Sequence, residues 1–123
     1  MRTALEVDLL AVPKAVSAVR RTVREHLGTE SADVQLCVSE MLSNVILHLG
    51  EGTPVTLRVT ERGGGLTRIE VTDPDTASRV VCARAACDDE SGRGLALLEA
   101  VSLRWGVERN GSGKTVWCEL RDG

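Results

Sequence analysis

Two stretches of alternating residues, each broken by a glycine-rich turn, constrain this chain more than any other feature. Val55 to Thr60 and Leu66 to Thr72 alternate apolar and polar side chains around Glu61-Arg62-Gly63-Gly64-Gly65, the pattern of two strands joined by a turn. Leu103 to Arg109 and Lys114 to Leu120 repeat it around Asn110-Gly111-Ser112-Gly113, again a hairpin signal. Hairpins pair antiparallel, and the half-apolar sheet they build needs a cover. The full order reads strand, two helices, two strands, loop, helix, two strands. That order predicts an α+β fold: a two-layer sandwich of a mixed, largely antiparallel sheet with helices on one face. A length of 123 residues suits one domain spanning 1–123.

The opening strand reads from Thr3 to Leu10, with Leu9-Leu10-Ala11-Val12 blurring its end. Pro13 suits the first turn of a helix, where its missing N–H costs nothing. Ala15, Val16, Val19, Val23 and Leu27 follow at helical spacing, and Gly28 is a stop. Arg20, Arg21 and Arg24 line its other side, as a solvated face or a docking surface. The second helix carries more information. Ser31 caps it, Asp33 sits in its first turn, and it runs to Leu49 before Gly50. Val34, Val38, Met41, Leu42, Val45 and Leu49 form one apolar stripe at 100° per residue. Glu40, Asn44 and His48 recur along the flank of that stripe, where polar groups can face one cleft. Residues 76–91 are polar and aperiodic, so they read as a mobile loop; Gly92-Arg93-Gly94 then opens a helix through Leu95, Leu97, Leu98 and Val101.

Composition removes several function classes. The net charge of −3 gives no general pull toward nucleic acid or an anionic membrane. With two Trp and neither Phe nor Tyr, the core must be built from Leu, Val, Ile and Ala, and base-stacking platforms are confined to Trp105 and Trp117. No apolar run approaches a membrane span, and the acids Glu6 and Asp8 stand where a signal peptide needs apolar residues. Cys37 and Cys118 fall in apolar patterns as core thiols of a reducing compartment, while Cys82 and Cys87 sit in the loop with a weak redox or metal potential. The terminal hairpin leaves two registers open. A four-residue loop at 110–113 pairs Trp105 with Cys118 and Gly106 with Trp117, sending the rings to opposite faces; a five-residue loop places them on one face.

Two motifs are decoys. Gly111-Ser112-Gly113-Lys114-Thr115 imitates the end of a phosphate-binding P-loop, but Glu108 stands where its first glycine belongs and a strand pattern follows. Gly92-x-Gly94 lacks the third glycine and the preceding strand of a dinucleotide fingerprint.

What remains is a constellation in four segments: Val38-Ser39-Glu40-Met41-Leu42-Ser43-Asn44-Val45-Ile46-Leu47-His48, Val71-Thr72-Asp73, Ser91-Gly92-Arg93-Gly94-Leu95 and Gly113-Lys114-Thr115-Val116-Trp117. In this order and spacing it resembles the histidine-kinase-like ATPase superfamily, in particular its anti-sigma factor serine/threonine kinase branch. The likeness runs from about Leu9 to Leu120. It implies a Bergerat-type ATP-binding fold, ATP and Mg²⁺ as cofactors, a cytoplasmic setting, and a sigma factor or an anti-sigma antagonist protein as partner. It also allows a homodimer.

The chemistry of the residues agrees with these roles. An ionised Asp73 accepts a hydrogen bond from an adenine amino group, and Thr115 binds the same carboxylate or a water beside it. The Asn44 oxygen suits Mg²⁺, which shares its oxygen ligands with phosphates. Gly92 and Gly94 let the backbone approach phosphate at a helix N-terminus. Arg93 either adds a charge-assisted phosphate contact or pairs with Asp88, Asp89 or Glu90. Glu40, one turn from Asn44, is placed to orient or deprotonate an attacking hydroxyl, while His48 packs or caps. Residues 76–94 would form a lid. One departure stands out: the family's first glycine motif has a glycine two positions after the aspartate, and this chain has Asp73-Pro74-Asp75. That substitution supports the alternative reading, a non-catalytic regulatory module on the same fold.

Overall fold

The computed structural model describes residues 2–27, 32–62, 65–74, 101–110 and 113–121. Seven elements follow in order: β1 (Arg2–Ala11), α1 (Pro13–Leu27), α2 (Ala32–Leu49), β2 (Thr53–Arg62), β3 (Leu66–Asp73), β4 (Arg104–Asn110) and β5 (Gly113–Arg121). The loop expected at 76–91 and the glycine-opened helix after it lie outside the described residues, apart from Val101.

The strands form one sheet in the order β1-β2-β3-β5-β4, and all four pairings are antiparallel. The sheet expected to be mixed is therefore wholly antiparallel among the described residues. Leu57, Val59, Ile69, Val71, Cys118 and Leu120 are buried in register on one face. Val19 and Val23 of α1 and the α2 stripe join them in a single core, so both helices cover that face. Cys37 extends the expected stripe, and Cys118 Sγ lies 3.9 Å from Met41 Sδ. Leu49, at the end of the stripe, is only partly buried.

Local chemistry fixes the element ends. β1 continues through the ambiguous segment because Leu9, Leu10 and Ala11 stay in the ladder opposite Val55, Pro54 and Thr53. The Val12 carbonyl accepts the first helical bonds, from the N–H groups of Ala15 and Val16 at 2.9 and 3.1 Å. After α2 the chain turns through Gly50 and Gly52 at φ 101° and 91°, a region open to glycine without strain. The Gly52 N–H then reaches the Ala11 carbonyl at 3.0 Å, tying the turn to the end of β1.

The terminal hairpin adopts the register of the four-residue loop, with Trp105 opposite Cys118 and Gly106 opposite Trp117. Trp105 packs against the core. Trp117 lies on the outer face, with the Arg68 guanidinium 4.3 Å from its ring centroid. A Cβ at Gly106 would come within 2.8 Å of that ring, so glycine makes room for it. The outer face also carries Glu119, only 2% exposed. It accepts hydrogen bonds from Arg104 at 2.6 Å, Arg68 at 3.1 Å and Arg62 at 3.4 Å. The Arg104 bond, aided by Arg68 and opposed by burial, holds the Glu119 carboxyl below the usual carboxylate range.

Candidate functional site

The turn geometry places the end of α2 at a particular edge of the sandwich. β2 starts at Thr53, close after Leu49, and the pairing of Thr56 with Thr72 carries the register on toward Val55 and Asp73. The C-terminal part of α2 and the end of β3 therefore share one edge. Glu40, Asn44 and His48 are all half-buried along α2, as expected for a polar row bordering the buried stripe. Asp73 follows Ile69 and Val71 in the alternation of β3, so its side chain lies on the helix-covered face, 2% exposed.

β5 supplies a residue the sequence reading passed over. Lys114 is the register partner of Asp73, with its ammonium 3.8 Å from Asp73 Oδ2 and its side chain 15% exposed. Thr115 pairs with Thr72 on the other face, where the two hydroxyls share a hydrogen bond of 2.8 Å. The expected meeting of Thr115 with the Asp73 carboxylate does not form, because neighbours along a strand point to opposite faces. The sequence held the signal: if Cys118 and Leu120 face the core, parity puts Lys114 there and Thr115 outside. Gly113 sets the spacing of this pair. A Cβ on it would fall inside the Asp73 carbonyl, so only glycine lets β5 approach the end of β3 this closely.

A cleft of about 550 Å³ opens at the same end of the sheet but mainly on its outer face, with Asp8, Leu10, Pro54, Thr56 and Thr72 among its walls and no residue of α2 among them. Leu10 is exposed there, and Thr56 donates a 2.7 Å hydrogen bond to Asp8. Gly92, Arg93 and Gly94 lie outside the described residues. Among the described residues no three His, Cys, Asp or Glu side chains cluster as a metal site, and no helix is long and apolar enough to cross a membrane.

A family model of the histidine kinase-like ATPase domain matches residues 6–120. The chain belongs to that family. An uncharacterized protein of Streptomyces coelicolor is 49% identical over 83 residues, covering 67% of this chain and 79% of the other. The crystal structure of the RsbU and RsbW domains of a Mycobacterium tuberculosis protein covers 96% of this chain at a TM-score of 0.69 and 22% identity, and this chain spans 31% of that one. The SiaB–SiaC complex of Pseudomonas aeruginosa gives a TM-score of 0.67 at 17% identity, over 97% of this chain and 89% of the other. A histidine kinase domain of Erythrobacter litoralis gives 0.58 at 17% identity, over 88% and 59%. At these identities the solved structures show a shared fold.

The donor set of this ATPase domain suits a magnesium nucleotide. A buried carboxylate can accept from a base. A half-buried carboxamide oxygen offers the single protein ligand that Mg²⁺ commonly takes when phosphates supply others, which needs no multi-carboxylate cage.

Proposed function

We propose that this chain is an ATP-binding regulatory protein of the anti-sigma factor type: a serine/threonine kinase that phosphorylates an antagonist protein and sequesters a sigma factor. Supporting the reading are the half-buried row of Glu40 and Asn44 on α2 and the buried Asp73 that ends β3 on the helix-covered face. On this reading residues 1–123 act as a single histidine-kinase-like ATPase domain in the cytoplasm.

Each residue then has a defined task. Asp73 fixes the base by accepting its N–H groups, and its burial excludes competing water. Asn44 offers its side-chain oxygen to Mg²⁺. Gly92, Arg93 and Gly94 receive the phosphates through backbone N–H groups and a guanidinium. Bound Mg-ATP supplies an electrophilic γ-phosphorus and an ADP leaving group. Glu40 orients the incoming serine hydroxyl and takes its proton as the new P–O bond forms and the bond to ADP breaks. The alternative, a partner-binding module without phosphate transfer, is favoured by Asp75, whose charge stands where the family motif has glycine.

Transfer of radiolabelled phosphate from ATP to candidate antagonist proteins separates the two. Glu40→Ala should abolish labelling of serine while ATP affinity stays within about threefold, because a general base contributes roughly 10²–10⁴-fold to rate rather than to binding. Absence of labelled serine across antagonists, with ATP still bound, would select the non-catalytic module. Equal loss of transfer and affinity in Glu40→Ala would make Glu40 a structural residue.

A further inference from the structure

The functional reading uses none of the cysteines, yet the fold brings two of them together. Cys37 lies on α2 and Cys118 on β5, far apart in the chain. Both are free thiols, 0% exposed, in the single core cluster. Their thiols hydrogen-bond to one another, and Cys118 Sγ also donates to Met41 Sδ at 3.9 Å. A thiol is a weak donor and a weak acceptor, so the noncovalent link between these two elements is slight.

We propose that Cys37 and Cys118 are a redox pair, which a hydroperoxide converts into a disulfide that ties α2 to β5. Nothing in this pair depends on bound nucleotide. A transient disulfide of this kind is the sort that a reducing compartment permits.

The surroundings divide the chemistry between the two sulfurs. The hydrogen bond from Cys118 lowers the pKa of Cys37 against the opposing effect of burial, while the same bond, with burial, raises that of Cys118. Cys37 is therefore the attacking group. Its sulfur breaks the O–O bond of the peroxide and becomes a sulfenic acid, and the leaving oxygen takes the Cys37 proton. The Cys118 sulfur then attacks the Cys37 sulfur; the S–S bond forms, and hydroxide departs with the Cys118 proton as water. The two thiols lose two electrons and two protons, and the hydroperoxide is reduced to an alcohol and water.

Full burial sets the rates. Peroxide and reductant alike reach these sulfurs only when the core opens locally, so the pair oxidises slowly and the closed disulfide is equally slow to reduce. The bridge encloses β2, β3, β4 and most of α2, a long loop whose closure removes much freedom from the unfolded chain. Its anchor on α2 stands one turn before Glu40, so oxidation holds that part of the helix against β5.

Peptide mapping of the full chain after hydrogen peroxide treatment, with free thiols alkylated in denaturant, tests the pairing. Trypsin leaves the four cysteines on four separate peptides, with Cys37 in 25–58 and Cys118 in 115–121. The expected product is 25–58 joined to 115–121 and released by dithiothreitol. The oxidised protein should melt about 5 °C or more above the reduced one. Cys37→Ser should lose both the link and the shift. Should that variant fail to fold, the double variant Cys82→Ser/Cys87→Ser carries the test, since the proposed pair are its only thiols and it should keep both. Recovery of 25–58 and 115–121 as separate alkylated peptides from the peroxide-treated double variant would overturn the pairing. So would a link from Cys37 or Cys118 to Cys82 or Cys87 in its place, or a link that forms only when peroxide is added in denaturant.

Discussion

β3 and β5 bury two carboxylates, one on each face of the sheet, and their surroundings differ in kind. Glu119 on the outer face is 2% exposed and ringed by Arg104, Arg68 and Arg62 at hydrogen-bond distances of 2.6, 3.1 and 3.4 Å. Asp73 on the inner face is equally buried, but Lys114 faces it at 3.8 Å, longer than a hydrogen bond. Guanidinium forks that close on a carboxylate use up its lone pairs and tie strands together. A compact ammonium held farther off neutralises charge without the bidentate fit of a guanidinium. The first arrangement is the chemistry of a clamp; on the proposed reading the second serves a ligand.

Substitution should separate the two most sharply at Asp73. Asp73→Asn keeps the size but turns one acceptor oxygen into a donor, so nucleotide affinity should fall about 30-fold or more, the cost of a mispaired buried polar group. Its denaturation midpoint should fall less than that of Glu119→Gln, since one ammonium rather than three guanidiniums loses its counter-charge. A variant that unfolds more easily yet binds nucleotide normally would reverse the assignment of roles.

Glu119→Gln should show the mirror image. Removing the charge leaves three guanidiniums facing a neutral amide, and urea denaturation should report a loss of about 2 kcal/mol, below the usual figure for a broken buried pair because Arg104 and Arg62 are partly solvated. Nucleotide affinity should stay within about twofold. A wild-type denaturation midpoint in this variant would show the clamp to be ornamental.

The same carboxylate gives a pH signature of smaller size. Its folded pKa is depressed, chiefly by the Arg104 hydrogen bond. The stability it contributes is therefore complete above the unfolded carboxylate pKa of about 4.3 and drains away as pH falls through the lower folded value. Glu119→Gln should flatten the acid limb of stability against pH in that window, and parallel acid limbs in the two proteins would contradict the shift.

Much of this was legible in the chain. The hairpins, the α2 stripe and its polar flank follow from periods of 2 and 3.6, because burial on one face enforces them. Two features were not legible, for physical reasons. Either strand of the terminal hairpin could have docked on β3. β5 does so because it presents Cys118 and Leu120 to the core, while β4 carries Gly106 and a Val107 that is 46% exposed. The Glu119 clamp draws arginines from β2, β3 and β4, so no local pattern announces it. The direct contact of Thr115 with Asp73 failed differently: it matched a motif where the parity of β5 decides, and parity turns Lys114 toward Asp73 instead.

On the proposed reading the α2 flank and the end of β3 form one magnesium-nucleotide site. Calorimetric titration of Mg-ATP into wild type and Asn44→Ala measures it most directly. Wild type should bind with a resolvable heat, and the alanine variant should lose about tenfold or more in affinity in the presence of Mg²⁺, consistent with an oxygen ligand shared between metal and phosphates. No heat in either protein, or identical binding in both, would contradict the account.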